Sequence, residues 1–163
     1  VTSSDLELPY EDNGTPATDE QIIGLRWLVP VAQGAKISQA YVELQMNDVK
    51  GSGAPVNLII EGQLSVQASS FSSTAQDISN RPRTKAQVKW TIPTGLAVGA
   101  KFQSPDISAI IREIVSQSGW VSGNGLVILL RDDKGNPSTG IRCVESYQGT
   151  ATAAPLLHLE VAP

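Results

Sequence analysis

From Gln39 to Met46 polar and apolar residues alternate without a break. Ala40, Val42, Leu44 and Met46 fall on one side, and Gln39, Tyr41, Glu43 and Gln45 on the other. A period of two cannot build a helix face. It specifies a β-strand across Lys36 to Asn47, with one face buried and one wet. The pattern recurs. Thr2 to Leu8 sets Leu6 and Leu8 against Asp5 and Glu7, and Gln21 to Val29 aligns Ile23, Leu25, Trp27 and Val29. Pro55 to Leu64 aligns Val56, Leu58, Ile60 and Leu64, and Ala86 to Ile92 aligns Val88, Trp90 and Ile92. Further strands are expected near Phe102 and over Gly125 to Leu130, Thr139 to Tyr147 and Pro155 to Val161. In the last of these Leu157, Leu159 and Val161 face the core, leaving His158 and Glu160 outside. The chain reads as all-β: a jelly-roll-like β-sandwich of about eight to nine strands, with long connections rather than simple hairpins.

A single helix interrupts this pattern, at about 105–118. Ile107, Ile110, Ile111, Ile114 and Val115 form one apolar stripe. Ser104 suits a cap, Pro105 the first helical position, Asp106 the positive end and Gly119 the stop. Arg112 and Glu113 lie off the stripe. β-Branched residues form helices poorly, so packing on a sheet must hold this one. The strand from Gly125 to Leu130 is apolar on both faces, as a central strand covered on one side by the helix would be. The aliphatic stripe and Trp120 make this unit a plug on one sheet. Function is expected elsewhere.

The 163 residues suit one domain, 1–163, with length enough for a real core. Net charge is −4 with 17% charged residues, unlike the basic surface of a general nucleic-acid binder. No apolar run is long enough to span a membrane. The sequence starts at Val1, as a processed chain or an excised piece would, so a missing export signal does not argue for the cytoplasm. Cys143 is the one cysteine, which leaves no internal disulfide; it suits a small buried strand residue.

Catalysis finds no constellation. His158 with Cys143 or a serine would need an orienting acid in mutual contact, no G-x-S-x-G elbow occurs, and His158 reads as an exposed strand histidine beside Glu160. No His/Cys spacing suits zinc. Calcium is the candidate ion, because loop oxygens can wrap it; Asp5, Glu7, Asp12 and Asp19 are the candidate ligands. A second acidic group, Asp132, Asp133 and Asn136, sits in one turn. For a sugar, Trp27 and Trp90 fall on core phases. This leaves Tyr41 with Gln39, Glu43 and Gln45 as a polar platform. Arg81, Arg83, Lys85 and Lys89 form the one basic patch, suited to carboxylated or sulfated polysaccharide. The alternative is arginines folded back onto backbone carbonyls. The segment from Ser65 to Lys85 lacks periodicity, and Phe71 and Ile78 are its expected anchors.

Several stretches together resemble a known family: SSDLEL (3–8), GLRW (24–27), AKISQAYVEL (35–44), ISNRPRTKAQVKW (78–90), SPDISAIIREIV (104–115), GWVSGNGLVIL (119–129), VESYQG (144–149) and AAPLLHLE (153–160). They resemble the secreted microbial β-sandwich modules labelled DNRLRE or disaggregatase-related domains. Those modules are similar to carbohydrate-binding modules attached to alginate lyases and other polysaccharide-degrading enzymes. The literal DNRLRE string is absent; SNRPRT (79–84) stands nearest. The resemblance implies a jelly-roll sandwich, export and a non-catalytic binding role. The expected function is an extracellular or cell-surface module that binds polysaccharide or cell-surface glycan, with no nucleic-acid partner and no membrane insertion. The alternative is a structural subunit of an extracellular fibre or surface layer, self-associating by exchange of its N-terminal strand.

Overall fold

A computed structural model describes residues 3–11 and 20–163. The chain is an all-β sandwich with one short helix. The strands are β1 (Asp5–Leu8), β2 (Ile23–Leu28), β3 (Ile37–Asp48), β4 (Val56–Gln63), β5 (Arg83–Ile92), β6 (Lys101–Gln103), β7 (Gly125–Asp132), β8 (Arg142–Glu145) and β9 (Leu156–Val161). One sheet runs β1-β8-β3-β6, with β9 also paired to β3; the other runs β2-β7-β4-β5, and every pairing is antiparallel. Strands that follow one another, such as β3 and β4, mostly lie in different sheets, as jelly-roll connections require.

β3 is the axis of the first sheet, bonded on both sides. Ala40, Val42, Leu44 and Met46 are all shut away from solvent and meet Val56, Leu58, Ile60, Leu126, Ile128 and Leu130 in one core. Trp90 and Trp120 belong to that core, while Trp27 is half-buried against it. Val161, expected inward, is 51% exposed; it lies at the end of β9 where the register with β3 shifts between Ile37 and Gln39.

The helix α1 spans Ser108–Val115, shorter than the expected 105–118. Ser104 and Asp106 are drawn to β3 instead of capping in place. The Ser104 hydroxyl accepts from the Val42 N–H at 3.0 Å, and the Asp106 carboxylate from the Ala40 N–H at 3.0 Å. Residues 104–107 therefore run beside β3, and Asp106 reaches the helix only through Ser108, whose N–H and hydroxyl it accepts. Nor does α1 cover β7. Its aliphatic stripe packs against β3, β4 and β5, closing one end of the sandwich between the sheets. Gly62 on β4 makes room: a Cβ there would lie 2.6 Å from Ile114 Cδ1.

The outer face of β7 has a different cover. Residues 64–82 fold across the four-stranded sheet, and Ala68, Phe71 and Ile78 pack on Val127, Leu129 and Ile22 in a second, small core. Phe71 sits over Gly24, where a Cβ would come within 2.6 Å of the ring. Phe71 and Ile78 are thus the anchors of the long segment. A fully buried Arg142 ties the loop carbonyls of Ala54, Ile92, Pro93 and Ile141 together. No helix among the described residues is long and apolar enough to cross a membrane.

Candidate functional site

The two sheets differ on their outer faces. That of β2-β7-β4-β5 lies under residues 64–82. On the other, Tyr41 and Glu43 of β3, Lys101 and Gln103 of β6 and His158 of β9 share one exposed or half-buried surface. Their side chains arrive there by strand alternation: each neighbours a residue whose side chain fills the core. Tyr41 pairs with His158 across the ladder, and the rings stack with centroids 4.5 Å apart and planes 13° from parallel. The His158 Nε2 is shut off from solvent and has no hydrogen-bond partner.

Glu43 accepts from Gln103 Nε2 at 3.2 Å and from Lys101 Nζ at 3.1 Å. The Gln103 and Lys101 bonds hold its carboxyl below the usual carboxylate range. Next to it Gln45, Lys101, Thr152, Ala153 and Leu156 line a dent of about 10 Å³, room for one water. The face is thus a flat strip of rings, amides and one neutralised ion pair. Such a strip can stack on and hydrogen-bond a hydroxylated ligand.

The expected platform residues Tyr41, Glu43 and Gln45 do share this face. Lys101, Gln103 and His158 join them unforeseen. Register is what adds them, and alternation within one strand cannot reveal which strand lies beside it. The signal available was that β9 alternates too, which puts His158 on an outer face.

The basic patch is taken apart. Arg81 is only 7% exposed. It donates to the carbonyls of Ser69 and Ser70, to Gln63 Oε1 and to the Asp77 carboxylate, with its guanidinium 4.6 Å above the Phe71 ring. Arg83 lies 3.6 Å from Glu61 and donates to Ile78 O, and Lys89 pairs with Asp133 at 2.9 Å. Lys85 alone of the four forms no ion pair among the described residues. Arg81 and Arg83 thus take the folded-back arrangement, which leaves little free positive charge for an acidic polymer.

For calcium, Asp5 and Glu7 project from β1 opposite Glu145 and Cys143 of β8. Donor atoms of Asp5, Glu7 and Cys143 lie within 4.8 Å of one another. A thiol among two carboxylates does not make the all-oxygen cage that calcium takes. Asp12 and Asp19 lie outside the described residues. In the other acidic turn Asp132 is fully buried, accepting from the Tyr10 hydroxyl and Ser138 N–H, and Asp133 is held by Lys89 and Gly135 N–H. Cys143 and His158 stand in separate register pairs, with Glu7 and with Tyr41.

Comparisons with protein-family models, with curated proteins and with solved structures gave no match.

Proposed function

We propose that the domain is a non-catalytic extracellular β-sandwich module that binds a polysaccharide on the open face of its five-stranded sheet. The observation that carries this is the contrast between the faces: one sheet is roofed by residues 64–82, while the other presents the Tyr41–His158 ring pair among Glu43, Gln45, Lys101 and Gln103. Amide donors and acceptors beside a flat aromatic pair match the hydroxyls and apolar ring faces of a pyranose. Because Arg81, Arg83 and Lys89 are committed to Asp77, Glu61 and Asp133, a neutral polymer fits better than a carboxylated or sulfated one. The test is affinity electrophoresis through gels cast with neutral or acidic polysaccharides. Retardation by a neutral polymer, lost in Tyr41→Ala, is expected. Equal mobility in every gel overturns the proposal.

A structural subunit role is the second proposal. Among the described strands β1 is a short edge strand paired with β8, and it fills the core with Leu8, which is 1% exposed. An identical strand from a neighbour could occupy the same slot. Deleting residues 1–9 should then abolish assembly seen by negative-stain microscopy; a truncated chain that still polymerises rejects this role.

A further inference from the structure

We propose that the domain pairs with a second copy of itself through the outer edge of β9, forming one sheet continuous across a two-fold axis. The direction of the main chain carries the argument. On β3, Ala40 and Val42 point their polar groups away from β9: their N–H groups go to Asp106 and Ser104, and their carbonyls accept from Ile107 and Ser104 N–H. Alternation therefore aims Tyr41 and Glu43 at β9, where His158 and Leu156 face them. The next alternation turns the N–H and C=O groups of Leu157, Leu159 and Val161 outward. Among the described residues no hydrogen bond reaches those groups.

An open edge is usually guarded by a lysine, a proline, a bulge or a cover. β5 has such a guard, since Glu113 occupies the N–H groups of Lys85 and Ala86. β9, with the sequence LLHLEV, has no lysine or proline inside it, and the one bulge in its pairing with β3 lies at its Val161 end. Its sequence is also self-complementary. An antiparallel two-fold centred on Leu159 sets Leu159 against Leu159 of the second copy and Leu157 against Val161. In those facing pairs each residue exchanges both main-chain bonds. The same register sets His158 opposite the exposed Glu160 of the second copy, twice by symmetry. These are non-hydrogen-bonded positions, where side chains come closest, so an imidazole faces a carboxylate at each. Shifting the pairing by one residue would point outward main-chain groups at inward ones, and centring the axis on His158 instead would set His158 against His158. The second copy thus fits both the main-chain pattern and the charges.

Sedimentation velocity of the full chain, from micromolar to millimolar concentration, tests this alongside amide hydrogen exchange at both extremes. The expected result is a shift from 17.3 kDa to twice that mass. With it should come slower exchange at Leu157, Leu159 and Val161, while His158 and Glu160 amides are slow throughout. Val161→Pro removes an outward N–H at a half-exposed position and is compatible with an edge strand. Glu160→Lys reverses the complementary charge. Each should lower dimer affinity at least tenfold without changing the monomer's circular dichroism. A single-chain mass at all concentrations overturns the proposal. So does a dimer that both variants leave intact, growth beyond two copies, or fast exchange at the three amides in the dimer.

Discussion

The Glu113 carboxylate on α1 accepts the backbone N–H of Lys85 on β5 at 2.8 Å, and that of Ala86 at the same distance. Its neighbour Arg112 reaches the other way, donating to the Ile37 carbonyl of β3 at 2.6 Å. The pair that lies off the apolar stripe thus fastens the helix to both sheets. Glu113→Ala would strand two edge N–H groups and should cost about 1–3 kcal/mol in urea unfolding, as lost charge-assisted hydrogen bonds do. A loss below a few tenths of a kcal/mol would show that water replaces the carboxylate fully.

Gly62→Val tests the seat of the helix. The space for a Cβ is already filled by Ile114 and Ile110. Overpacking of this kind costs about 1–3 kcal/mol, and the thermal midpoint should fall accordingly. Gly135, in a turn with a Cβ contact of 3.3 Å to Asp133 only, is the control: Gly135→Ala should change stability far less.

Arg81→Ala should loosen the roof over β7. It removes bonds to two carbonyls, Gln63 and Asp77 and the contact with Phe71. Limited proteolysis should then cut within residues 64–82 at least several-fold faster. Retardation in polysaccharide gels should stay unchanged, since this roof lies on the opposite sheet from Tyr41.

Tyr10 gives a pH signature. Burial, and then the hydrogen bond to Asp132, push its hydroxyl up to about 12 from 10.0. The folded state therefore holds this proton more tightly than the unfolded one. The stabilisation is complete below pH 10 and is lost as pH rises from 10 toward 12. In an ultraviolet titration a tyrosine step should appear late, toward pH 12, and Tyr10→Phe should remove it.

At the acid end the sign reverses. Glu43, held low by Gln103 and Lys101, contributes stability above the ordinary glutamate pKa of about 4.3. That contribution disappears as pH falls through its lower folded value. Glu43→Gln should flatten the acid limb of a stability-versus-pH curve below the ordinary glutamate range. An unchanged limb would mean that Lys101 and Gln103 do not hold the carboxylate in solution.

The fold was legible because alternation is a local property. Ala40 to Met46 declare their face within one strand, and the helix stripe declares itself within two turns. What escaped depends on contacts far apart in sequence. Ser104 and Asp106 look like helix caps until β3 is placed beside them. Arg83 and Lys89 look like part of one patch until Glu61 and Asp133 arrive from other segments. Tyr41 was visible as an outward aromatic, but His158 lies 117 residues further on, and only the β3–β9 register brings it to the ring.

The helix at one end of the sandwich and Arg142 tying the loops Ala54, Pro93 and Ile141 divide the molecule's labour. The side chains that hold the fold and those that face outward on β3, β6 and β9 form almost separate sets. Tyr41, Gln45, Gln103 and His158 could be exchanged in combination, by drift or by library design, with little cost to folding. The open face is therefore a surface whose specificity can be rewritten while the scaffold beneath it stays constant.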